Sequence, residues 1–131
     1  PLMNGENMTE PRSLPPSLRS RSRYIVFEIV SEQPIEYNEL INTVWNSLFT
    51  FLGDLETADS RVWTVQNLYD QRTQKGVIKC SHDRVEHVRA SLAFIRVIGE
   101  TKSIVRILGI TGTIKSAKNK YLGMRDLRDF E

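Results

Sequence analysis

The order of hydrophobic periods along the chain is the feature that most limits its fold. Arg23 to Ser31, RYIVFEIVS, is β-branched and aromatic, and alternation puts Ile25, Phe27 and Ile29 on one face of a strand. Pro34 breaks that strand. From Tyr37 to Leu52 the apolar residues Leu40, Ile41, Val44, Trp45, Leu48, Phe51 and Leu52 recur at steps of three and four. That spacing predicts an amphipathic helix, with Gly53 as its stop. Arg61–Leu68 reads as a second strand, and the polar stretch from Asp70 to Gly76 as a hairpin link to a third, Gly76–Ser81. Asp83, with Glu86 three residues on, has the spacing of a capping box. Val85, Val88, Leu92 and Ile95 then form the stripe of a second helix, which Gly99 is expected to end. Lys102–Gly112 is the fourth strand, and the short basic stretch from Thr113 is expected to hold a helical turn or two.

Strand, helix, strand, strand, helix, strand is the split βαβ order of a ferredoxin-like α/β sandwich. It predicts a four-stranded antiparallel sheet with both helices on one face. The 131 residues, 40% apolar and 26% charged, suit one soluble domain, placed at residues 23–122. Residues 1–22, rich in Pro, Ser, Asn and Arg, read as a flexible arm, and 123–131 as a tail. Met8 is expected to open the natural chain, with residues 1–7 an alternative start or a remnant of expression.

The open face of such a sheet often carries stacking aromatics in RNA-recognition domains. Here the third strand, KGVIKCS, has none, so base stacking of the usual kind is not expected. The fourth strand is apolar on both sides, with Ile104, Leu108 and Ile110 alternating with Val105 and Ile107. Such a strand needs cover on both sides. Either the termini fold over it or a partner protein does, which makes Ile104, Leu108 and Ile110 the candidate protein contacts.

Net charge is only +2, but its distribution is uneven. Arg12, Arg19, Arg21 and Arg23 fall in an acid-free stretch from Pro11 to Ile25, and Thr101 to Arg125 holds six bases and no acid. Between them, Val26 to Glu100 holds seven bases against eleven acids. Basic flanks around an acidic middle point to a polyanion partner. Arg19, Arg21, Arg23, Lys115, Lys118 and Lys120 are the candidate RNA-binding residues, because guanidinium forks and ammonium groups hold phosphates.

No catalytic or metal-binding constellation is legible. The single cysteine, Cys80, excludes an internal disulfide and reads as a small core residue. His82 and His87 stand five apart, off the helical spacing of metal pairs. Glu28, a carboxylate in mid-strand, is expected to pair with a base such as Arg106. LGITGT has two glycines at the wrong spacing for a phosphate loop. No stretch is long enough to span a membrane and no secretory leader is visible, so the chain is expected in the cytoplasm. Two other readings keep this fold. One is a regulatory domain binding a small ligand near Gly109 and Gly112; the other is a small enzyme.

Leu14 to Ser31, LPPSLRSRSRYIVFEIVS, resembles the opening of the archaeal ribonuclease P protein component 2 family, relatives of the eukaryotic Pop-five subunit. The matching residues are Pro15, Pro16, Leu18, Arg19, Arg23, Tyr24, Ile25, Phe27 and Glu28. Leu108 to Leu122, LGITGTIKSAKNKYL, resembles the family's closing motif, and Gln74 to Ile95 its third strand and second helix. Thr43–Trp45, Phe51–Gly53 and Trp63 fall in line with them. Ser116, Ala117 and Asn119 stand where relatives are often denser in Arg and Lys. The resemblance implies a non-catalytic subunit that stabilises the catalytic RNA for removal of the 5′ leader from precursor tRNA. The magnesium ions would sit on that RNA, and the protein would hold no cofactor. Component 3 would be a direct partner, with a heterotetramer of two copies each, alongside other ribonuclease P proteins.

Overall fold

The computed structural model describes residues 21–64 and 68–122. The arm through residue 20, the stretch 65–67 within the expected second strand, and the tail 123–131 lie outside the described residues. The elements are β1 (Ser22–Ser31), α1 (Tyr37–Asp59), β2 (Trp63–Thr64), β3 (Lys75–Ser81), α2 (Val85–Ala93), β4 (Val97–Ile98), β5 (Thr101–Thr111) and α3 (Ile114–Ala117). A 3₁₀ turn, His82–Arg84, precedes α2, and a wide turn, Lys118–Leu122, follows α3.

The sheet runs β2-β3-β1-β5-β4, every pair antiparallel. Without the short β4 this is the ferredoxin-like order expected from the sequence. β1 takes the centre because both its faces are apolar. Ile25, Phe27 and Ile29 join Ile78 and Cys80 of β3, Leu40, Val44 and Leu48 of α1, and Val88 and Leu92 of α2 in the main core. On the opposite face Val26 and Val77 pack with Leu68 and Ala117 in a second core. Tyr24, Leu108, Ile114, Tyr121 and Leu122 close around it. The segment after β5 therefore folds back over part of the face that the helices leave bare.

Several elements depart from the sequence reading. Gly53 does leave the helical region (φ 78, ψ 174), but the chain resumes helical turns as far as Asp59. Phe51, just before that kink, is half exposed instead of lying in the core. Asp83 does not cap α2; it sits inside the 3₁₀ turn, where its Oδ1 accepts from Ser81 Oγ at 2.7 Å. α2 stops at Ala93, well short of Gly99. Val97 and Ile98 instead pair with Lys102 and Thr101, and Gly99 (φ 62) opens a two-residue hairpin turn. That conformation needs glycine for the turn, not for a helix end.

Gln74 ties the β1–α1 connection to the sheet. Its Oε1 accepts from Ile35 N–H at 2.7 Å, and its Nε2 donates to Ile29 O and to Ser31 Oγ, both at 2.9 Å. Gln74→Ala leaves buried backbone groups without partners, so we expect a loss of about 1–3 kcal/mol. Urea unfolding should show a lower midpoint at unchanged slope; an unchanged midpoint would show that water replaces the amide.

Candidate nucleic-acid interface

Antiparallel pairing brings the two basic ends of the domain together. Ser22 pairs with Ser81 and Tyr24 with Thr111, so β1 begins where β3 and β5 end. Arg21 and Arg23 at the start of β1 and the lysines after β5 therefore gather at one end of the sheet. His82 N–H donates to Arg21 O at 2.9 Å, which secures the start of β1 against the turn after β3. Arg23 pairs with buried Cys80 and so belongs to the helix-bearing side. Its Nη1 donates to Ser22 O at 2.9 Å. The turn bearing Lys115, Lys118 and Lys120 lies against the other face. Of the expected RNA-binding residues, only Arg19 lies outside the described residues.

The lysine turn is held in place by its own contacts. Thr113 Oγ1 accepts from Ser116 N–H at 3.1 Å and caps α3. Ala117 is completely buried, and the Tyr121 ring lies on Gly109 of β5. A Cβ at position 109 would stand 2.2 Å from that ring, so the approach needs glycine. Of the two glycines that the small-ligand reading invoked, Gly109 has its space filled by Tyr121, whereas Gly112 is open. Lys115 and Lys120 are exposed and Lys118 is half-buried, and none makes an ion pair with an acid among the described residues.

The sheet's opposite end is apolar. Val30, Val97 and Ile104 line an open groove with Arg96, Lys102 and Glu32 at its rim. Ile104, opposite Val30, faces this groove, but the other two expected protein contacts do not join it. A β-bulge shifts the β1–β5 register between Val26 and Phe27, with Leu108 as the extra residue. Leu108 packs into the second core beneath the lysine turn. Ile110 pairs with Ile25 and so belongs to the helix-bearing side. One extra residue has undone the simple alternation that put all three together.

A further apolar surface was not anticipated. α1 carries four acids and no base, and Phe49, Phe51 and Leu55 stand exposed on it. Phe51 stacks on exposed Phe94 with ring centroids 4.3 Å apart. Helical spacing had put Phe51 on the apolar stripe of α1; the kink at Gly53 had no sequence signal beyond the glycine itself.

Among the described residues the titratable groups sit in structural contacts. Cys80 is fully buried, and burial, aided by nearby Asp83, pushes its thiol up to about 11, the wrong direction for a nucleophile. Glu56 Oε1 pairs with Arg84 Nε at 3.0 Å on the helix side and lies 3.7 Å from His87 Nε2. Glu28 pairs across the strands with Arg106 at 3.3 Å, the partner expected for it. Among the described residues no group of three or more His, Cys, Asp or Glu could hold a metal ion, and no helix is long and apolar enough to cross a membrane.

The fold is a ferredoxin-like sandwich with basic residues at one end of its sheet and an apolar groove at the other. The sequence places it more closely. The model of the Rpp14/Pop5 family matches residues 23–122. Ribonuclease P protein component 2 of Pyrococcus furiosus is 38% identical over 86% of this chain and 92% of its own length. Its counterpart in Methanosarcina mazei is also 38% identical, over 85% and 92%. A chain in the cryo-EM structure of yeast ribonuclease MRP has the same fold, with a TM-score of 0.58 at 12% identity over 76% of this chain and 85% of that one. The chain belongs to the Rpp14/Pop5 family, as an archaeal-type ribonuclease P protein component 2.

Proposed function

We propose that this protein is a non-catalytic, RNA-binding subunit of ribonuclease P that supports 5′-leader removal from precursor tRNA. One observation carries the proposal: relatives named ribonuclease P protein component 2 match nearly the whole chain, along nearly their whole length. The basic end supplies a physical means of holding RNA, since Arg21, Arg23, Lys115, Lys118 and Lys120 lie toward one end of the sheet. The reaction and its magnesium ions belong to the RNA, and the protein holds that RNA in its active arrangement. Precursor tRNA is met through the assembled particle, in the cytoplasm.

The apolar groove at Ile104 is where we place a partner protein. Ribonuclease P protein component 3 is the partner we put forward, in a heterotetramer of two copies each. The groove supports this because its apolar walls have a charged rim, the usual anatomy of a protein contact.

Reconstitution tests the function. Ribonuclease P RNA from the source organism is assayed on precursor tRNA at low magnesium with component 3, with and without this protein. Restored leader removal is the expected result. Unchanged cleavage with folded protein present would overturn the proposal.

A further inference from the structure

Trp63 is a large side chain that the core leaves out. It lies in β2 at the outer edge of the sheet and is 67% exposed. Register puts it opposite Lys79 of β3, and Lys79 in turn opposite Tyr24 of β1. Directly opposed residues in antiparallel strands share a face. Trp63, Lys79 and Tyr24 therefore form one row across three strands, on the face that α1 and α2 do not cover. The lysine turn is seated on this same face. The row also lies near the basic end, since Lys79 is two residues from the end of β3.

The middle of that face is already occupied. Tyr24 is half-buried against the second core with Tyr121 and Leu122. What stays open is an indole at the edge, beside an ammonium group with no acidic partner among the described residues. Exposed Arg61 stands two residues before the indole. A tryptophan that anchors a protein contact usually sits in a well-packed pocket from which water is excluded. This one has basic neighbours, while the exposed phenylalanines and the acids of α1 lie on the other face.

We infer that Trp63 stacks on an unpaired nucleobase of the RNA while Lys79 holds the phosphate beside it. This rests on the RNA-subunit reading above and adds to it the class of nucleotide that is bound. A base within a duplex has both faces taken by its neighbours; a splayed-out nucleotide offers one to the indole. Every base has such a face, so the contact tolerates any sequence. The strand-three aromatics of the usual RNA-recognition site are absent here, and the edge tryptophan takes over their task.

The test compares wild type, W63A, W63F and K79A in binding to ribonuclease P RNA over a range of salt concentrations. Circular dichroism checks that each variant is folded. W63A should bind about 5- to 150-fold more weakly, the effect of one lost stacked base. That deficit should be the same at low and high salt, because stacking releases no counterions, and W63F should recover most of the affinity. K79A should instead flatten the log–log salt slope by about one. RNA should quench tryptophan emission in wild type and much less in W63F, where only Trp45 remains. Unchanged RNA affinity in W63A, with or without loss of component 3 binding, would overturn the inference while leaving the subunit reading intact. If wild type itself fails to bind ribonuclease P RNA, the subunit reading falls and the inference with it.

Discussion

Replacing Lys115, Lys118 and Lys120 together with alanine is expected to flatten the log–log salt dependence of RNA binding by about 2–3. Each lysine that neutralises a phosphate contributes a slope of roughly 0.7 on single strands and 0.9 on duplex. The deficit of the triple variant should therefore shrink roughly 20- to 40-fold between about 50 and 200 mM salt. None of the three contributes to an ion pair with an acid among the described residues, and the apolar anchors of the segment, Ala117 and Tyr121, are untouched. The melting temperature should stay close to that of wild type. A parallel displacement of the salt plot, with no change in slope, would show that these lysines do not touch phosphate.

Gly109→Val should separate placement of the charges from their presence. The added side chain enters the space of the Tyr121 ring, which a Cβ would approach to 2.2 Å. β5 accepts valine readily, because β-branched residues suit strands. The tyrosine must leave, and the lysine turn with it. Overpacking and loss of the contacts among Tyr121, Leu122, Ile114 and the second core should lower stability by about 1–3 kcal/mol, a fall of several degrees in Tm. Trypsin should then cut at Lys115, Lys118 and Lys120 in the otherwise folded protein, where wild type resists. RNA binding should weaken although every basic residue is still present. Protease resistance equal to wild type would show that Tyr121 finds another seat without releasing the turn.

The order of the main elements was legible because β1, α1, β3, α2 and β5 are each announced by a period of their own; the two-residue β4 is too short to have one. Glu28 found Arg106 for the same reason: strand alternation held as far as that pair. Alternation failed two residues later. A bulge adds a residue without changing the apolar look of a strand, so Leu108 and Ile110 could not be told apart from Ile104. Gly99 and Gly109 show a second kind of failure. Glycine marks a conformational or steric need but does not say which. One serves a hairpin turn and the other a close approach by a ring some distance along the chain. Trp63 falls between these cases. Its strand was expected, but its exposure depends on how far the C-terminal segment reaches over the sheet, which is a tertiary fact. The basic clusters were legible as charge runs. Their meeting at one end required the antiparallel register of β1 with β3 and β5.

That register has a consequence for assembly. A strand of β1's length, Ser22–Ser31, spans about 30 Å. RNA gripped at one tip and a protein seated at the other would be kept that far apart, with a stiff hydrogen-bonded rod between them. Neither would compete with the other for surface, and the separation would be set by strand length instead of by a linker. The domain would then serve its particle as a fixed-length strut, holding two large components at a constant distance.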